Sequence, residues 1–128
     1  MGRMILVLGG ARSGKSRYAA QVAKRMDKKT VFIATATALD EEMKERIRLH
    51  KISRPKNWGL IEEPLNLNKV LIKSKPGYDT VLIDCVGLWI SNLLMANMKI
   101  PVIEKRVKEL TDSLLKAEAS LVIIVSNE

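Results

Sequence analysis

The sequence predicts a single α/β domain, residues 1–128, built on a mostly parallel sheet with helices on both faces. Short apolar runs recur along the chain at Met4–Leu8, Val31–Thr35, Thr80–Cys85 and Leu121–Ser126. They are continuous instead of alternating, as strands covered on both faces are. Helical patterns fill the intervals between them, and strand–helix alternation is the signature of a doubly wound sheet.

Each element has a local cause. Met4–Leu8 is aliphatic and ends in glycines, and a helix over Ser16–Met26 follows that turn. Asp40 can cap a helix running to Ile52, with Glu41 and Glu42 in its first turn, where a carboxylate favours the helix dipole. The stretch WGLIEEP, residues 58–64, reads as a short extra strand, and KSKPGYD, residues 73–79, as a turn centred on Pro76-Gly77. A short helix is expected after Asp84, through Trp89 to Met95. Pro101 opens the clearest helix, in which Ile103, Val107, Leu110 and Leu114 make one apolar stripe. Trp58 and Trp89 read as core packing. Leu121–Ser126 reads as an interior strand lying beside the first, with Asn127 at its end as a candidate γ-phosphate sensor.

Composition narrows the function classes. Apolar residues make up 47% of the 128, enough for a core, while aromatics are only 4%, which argues against a base-stacking nucleic-acid surface. The net charge of +8 favours an anionic partner without choosing one. The single Cys85 excludes an intrachain disulfide and a cysteine-rich zinc site, and at the end of a buried strand it reads as inert. The N-terminal apolar run is too short for a signal peptide, and Leu6 breaks the myristoylation pattern. No stretch is long and apolar enough for a membrane span. A cytoplasmic protein is the expectation.

The motif that carries chemistry is GGARSGKS, Gly9 to Ser16, which matches G-x-x-x-x-G-K-[ST] between a strand and a helix. Gly9, Gly10, Ala11, Arg12, Ser13 and Gly14 form the turn whose backbone N–H groups face phosphate oxygens. Lys15 would reach the β- and γ-phosphates, and Ser16 would ligate Mg²⁺. TVLID, ending in Asp84, is the apolar strand with a terminal carboxylate that completes such a metal site. A P-loop NTPase fold follows, of the RecA-like kind. No guanine-specifying N-K-x-D run is present, and 128 residues are few for a translocating motor. A small phosphotransferase remains.

RIRLHKISRPKNW, residues 46–58, contains the sole histidine, His50, among Arg46, Arg48, Lys51 and Arg54. These cations disfavour the imidazolium and keep a ring nitrogen available as nucleophile. By spacing alone, Met43, Ile47 and His50 also share a helix face, and on that ground a core-edge histidine is the favoured reading.

Taken together, GGARSGKSRYAA (9–20), IATA (33–36), LDEEMKERIRLHKISRPKNW (39–58), VLIDCVGLWISNLL (81–94) and VSNE (125–128) resemble the bifunctional adenosylcobinamide kinase/adenosylcobinamide-phosphate guanylyltransferase family of cobalamin biosynthesis. The resemblance implies phosphorylation of adenosylcobinamide, with ATP or GTP as donor. Transfer of GMP from GTP to the new phosphate would follow, through a guanylyl group on His50. It implies nucleotide contacts from Ala34, Thr35, Ala36, Lys51, Ile52, Ser53, Arg54, Glu62 and Asp84. A corrinoid substrate, Mg²⁺ and a homo-oligomer, typically a trimer, are also implied, with no nucleic acid and no membrane span. Members of that family continue beyond the SNE motif, so the sequence reads as C-terminally short. Two other readings stay open: a P-loop kinase of another small alcohol with a structural His50, and a non-catalytic basic nucleotide-binding module.

Overall fold

The computed structural model describes residues 3–10, 14–36, 41, 44, 45, 47, 48, 54–74, 77–116 and 121–127. The elements are β1 (Arg3–Gly9), α1 (Lys15–Met26), β2 (Thr30–Ala34), β3 (Gly59–Glu62), α2 (Leu67–Ser74), β4 (Thr80–Asp84), α3 (Val86–Met95), α4 (Ile100–Leu115) and β5 (Leu121–Asn127). Glu41, Lys44, Glu45, Ile47 and Arg48 are helical, in keeping with the helix expected from Asp40. Asp40 itself and residues 49–52 lie outside the described residues.

The five strands form one sheet in the order β1-β5-β4-β2-β3, and every pairing is parallel. β5 therefore separates the strand of the glycine loop from the strand ending in Asp84, the arrangement expected of a RecA-like P-loop fold. Strand alternation divides the core into two layers. On one face Phe32, Leu82, Leu121, Ile123 and Val125 pack with Ala19 and Ala23 of α1. The small alanines let the helix backbone lie close to the sheet. On the other face Val31, Ile33, Val81, Ile83, Val122 and Ile124 pack with Trp89 and Leu93 of α3 and with Ile103, Leu110 and Leu114 of α4. The α4 stripe is thus the one its spacing predicts, with Val107 at its margin. Trp89 is fully buried and its indole Nε1 donates to the Leu65 carbonyl at 2.9 Å. Trp58 is partly buried against the α1-side core.

Two expectations need correction. The first strand was expected to be covered on both faces, but among the described residues β1 pairs with β5 alone, at the edge of the sheet. Its Ile5 and Val7 pack toward α1, while Met4, Leu6 and Leu8 are exposed on the other face. A continuous apolar run reports apolar side chains and does not report whether a helix lies over them. The second is α2, where no helix was foreseen. Pro64, Asn66 and Asn68 read locally as turn formers, yet Leu67 and Leu71 are buried and the helix packs on α4. The carboxylate of Glu63 supports its start by accepting from the backbone N–H groups of Leu65 and Asn66, each at 3.0 Å.

Candidate active site

The C-terminal ends of parallel strands are where loops and helix N-termini gather polar groups. Register fixes what meets there. Ala34 is opposite Glu62 on β3 and Asp84 on β4; Asp84 is opposite Val125, and Val125 is opposite Val7. Val7 and Val125 belong to the α1-side layer, so the carboxylates of Glu62 and Asp84 share that face with the start of α1.

The glycine loop enters α1 through Gly14, whose φ of 83° is the left-handed conformation that a Cβ would strain. This turn sets the first helical residues, and Ser16 Oγ then donates to Asp84 Oδ2 at 2.8 Å. The two residues assigned to the metal are therefore joined across 68 positions of sequence. Lys15 is half-buried and its Nζ donates to the Gly10 carbonyl at 3.0 Å, folding the ammonium over its own loop. A hydroxyl beside a carboxylate is an oxygen-only donor set of the kind Mg²⁺ takes. Among the described residues no cluster of three or more His, Cys, Asp or Glu could hold a metal by protein ligands alone.

Asp84 is held from behind. Thr35 is completely buried; its hydroxyl donates to the Cys85 carbonyl at 2.7 Å and accepts from the Cys85 N–H at 2.9 Å. The Thr35 N–H donates to the Asp84 carbonyl at 3.1 Å. Asn92 of α3 donates through Nδ2 to the carbonyls of Thr35 and Pro64, at 2.9 and 3.1 Å. Thr35, taken from the resemblance as a nucleotide contact, is thus buried, with its hydroxyl engaged by the Cys85 backbone next to the acid. Cys85 is buried, and its Sγ accepts from the Leu88 N–H at the start of α3.

Arg54 lies on the same face. Its guanidinium stands 4.1 Å from the centroid of the Phe32 ring, and its Nη1 is buried without a hydrogen-bond partner. Burial pulls this guanidinium below its ordinary pKa, while the charges of Asp84 and Glu62 act in the opposite direction. Two residues of this surroundings escaped the sequence reading, Phe32 and Asn92. The strand period could have flagged Phe32, which precedes Ala34 by two and so shares its face. Nothing in the sequence pairs Asn92 with Thr35.

Of the remaining assigned residues, Gly9, Gly10, Ala34, Ala36 and Glu62 all lie at this end of the sheet or in the loops leaving it. Asn127 is opposite Gly9 in the β1–β5 register. His50, Ala11, Arg12, Ser13, Lys51, Ile52 and Ser53 lie outside the described residues.

A parallel sheet with a glycine loop, an acid at the end of a second strand and a hydroxyl joined to that acid defines a P-loop protein of the nucleotide-using kind. Comparison with known proteins narrows the class. The family profile described as CobU, cobinamide kinase / cobinamide phosphate guanyltransferase, matches residues 5–128. The chain belongs to that family. It is 40% identical over 126 residues to the bifunctional adenosylcobalamin biosynthesis protein CobP of Pseudomonas aeruginosa, covering 96% of this chain and 70% of that protein. It is also 40% identical to the bifunctional adenosylcobalamin biosynthesis protein CobU of Escherichia coli, over 91 residues, covering 71% of this chain and 50% of the relative. The CobU of Salmonella typhimurium is again 40% identical, with 73% of this chain and 51% of the relative covered. The chain therefore spans about half the length of the last two relatives.

Proposed function

We propose that this chain carries out both transfers of its family: phosphorylation of adenosylcobinamide, then transfer of GMP from GTP to adenosylcobinamide phosphate. The observation that supports the reading is the 2.8 Å bond from Ser16 to Asp84, which brings a hydroxyl and a carboxylate together beside the glycine loop in a member of this family. In the first transfer the substrate hydroxyl attacks the γ-phosphorus of ATP or GTP and gives up its proton to solvent. An O–P bond forms, the β–γ anhydride breaks and the nucleoside diphosphate leaves. Lys15 swings from the Gly10 carbonyl to the β- and γ-phosphates, where its charge offsets the charge of the departing oxygens.

In the second transfer a nitrogen of neutral His50 attacks the α-phosphorus of GTP, forming an N–P bond and releasing pyrophosphate. A phosphate oxygen of the corrinoid substrate then displaces His50, the N–P bond breaks and a phosphoanhydride forms. The loop residues Gly9–Ser16, the segment Ala34–Ala36, Lys51–Arg54 and Glu62 hold the nucleotide through both steps. Ser16 and Asp84, with the nucleotide, would hold Mg²⁺, which would supply charge neutralisation at the phosphates. A cytoplasmic homo-oligomer, a trimer as in the resembled family, completes the reading, and among the described residues no helix is long and apolar enough to cross a membrane.

The test is intact-protein mass after incubation with GTP and Mg²⁺, beside a His50→Ala variant. An acid-labile GMP adduct on the parent and none on the variant is the expected result. Tight GTP binding without an adduct would overturn the covalent step and favour a kinase with a structural His50. Steeply salt-dependent nucleic-acid binding without any transfer would favour a non-catalytic basic module.

A further inference from the structure

Arg54 presents an unusual combination. Its Nη1 is packed out of water and has no acceptor, and two carboxylates attract the guanidinium through space without satisfying that nitrogen. A buried charged donor left unpaired is costly, so its persistence asks for a ligand. What holds the guanidinium in place is the face of Phe32, 4.1 Å away.

The mode of anchoring matters. A carboxylate partner would grip the guanidinium by its edge and use up the N–H groups that read phosphate. An aromatic ring grips the flat face through its quadrupole and leaves the edge free. The register places the ring suitably. Phe32 is opposite Leu60 and Leu82, one row below Glu62, Ala34 and Asp84 on the same face of the sheet. A guanidinium seated on that ring has its edge beside the row that holds the acid.

We propose that Phe32 is a positioning residue for nucleotide binding. Its ring holds Arg54 flat and edge-free, so that Nη1 donates to a phosphate oxygen of the nucleotide bound between the glycine loop and Asp84. The inference rests on the nucleotide reading above and adds to it a residue that makes no contact with the ligand. Phe32 acts only through Arg54, and that dependence is measurable.

The sequence supplies a convenient probe, because Phe32 is the sole phenylalanine in the chain. Growth on fluorinated phenylalanines therefore alters one ring, draining its π-density with little change of shape. The measurement is GTP affinity in the presence of Mg²⁺ for the parent, the fluorinated series, Phe32→Leu, Arg54→Ala and the double variant, with thermal melting as the check on folding. Loss of the ring should weaken GTP binding roughly tenfold, in the range of a desolvated cation–π contact. Fluorination should weaken it stepwise, and neither change should matter once Arg54 is alanine. The ¹⁹F resonance of the 4-fluorinated parent should shift on adding GTP and stay still in Arg54→Ala.

A parent that binds GTP with an affinity indifferent to the ring would overturn the inference and leave the nucleotide reading intact. So would a Phe32→Leu loss of equal size in the Arg54→Ala background, which marks a purely structural effect. A parent that binds no GTP overturns the nucleotide reading, and this inference with it.

Discussion

β1 and β4 end at the same site, the first in the glycine loop and the second at Asp84, but the molecule holds them differently. β4 lies between β2 and β5, hydrogen-bonded along both edges, and Thr80–Ile83 are buried. Among the described residues β1 pairs with β5 alone, and Leu6 in its middle is 57% exposed. The acid is thus delivered by the most constrained part of the sheet. The phosphate loop hangs from an edge strand that Ile5 and Val7 tie to the α1 layer. A carboxylate that must meet a metal at fixed distance gains from rigidity. A loop that must wrap a nucleotide tolerates a looser support.

The comparison can be broken or sharpened experimentally. The largest effect belongs to the end of β4. Asp84→Asn keeps the shape and removes the charge, and it should lower Mg²⁺-dependent transfer to adenosylcobinamide by about a hundredfold or more, as loss of a positioned electrostatic group does. Steady-state turnover measures it, and an unchanged rate would remove Asp84 from the metal site. Next comes the strand body. Ile83→Ala, at a fully buried position, should cost about 3 kcal/mol in urea unfolding.

The brace behind the acid should cost less. Thr35→Val leaves the Cys85 N–H and carbonyl without their buried partner, at about 2 kcal/mol, with a fall in turnover as Asp84 loosens. If stability drops and turnover does not, Thr35 supports the fold and not the acid. The smallest effect is at β1. Leu6→Ala should change stability by no more than about 0.5 kcal/mol, as exposed substitutions do. A cost matching that of Ile83→Ala would mean that something covers the outer face of β1 in solution.

Much of this architecture was legible beforehand. Five strands, the helix after the glycine loop and the α4 stripe follow from runs and periodicity, because those patterns are set by local geometry. The helix α2 was not legible. Its sequence, LNKVLIKS, sits among Asn66, Asn68 and Pro64, which favour turns, and it is helical because Leu67 and Leu71 find a core. Of the site, the glycine loop, Ser16 and Asp84 could be read as motif positions. Asn92 could not, and Phe32 only as a residue sharing the face of Ala34, since their roles arise when β2 meets Arg54 and α3 meets the end of β2.

By itself the sequence determined the parallel α/β class, the phosphate loop, the acid and the family, since each is written in a contiguous stretch or in the order of such stretches. The tertiary structure alone decided which apolar strand lies at the edge, which threonine braces the acid and which ring carries Arg54. MILVL and LVIIV are nearly interchangeable as strings. Among the described residues one pairs with strands on both sides and the other with one, so their burial differs, and adjacency in a sheet is a property of the whole chain.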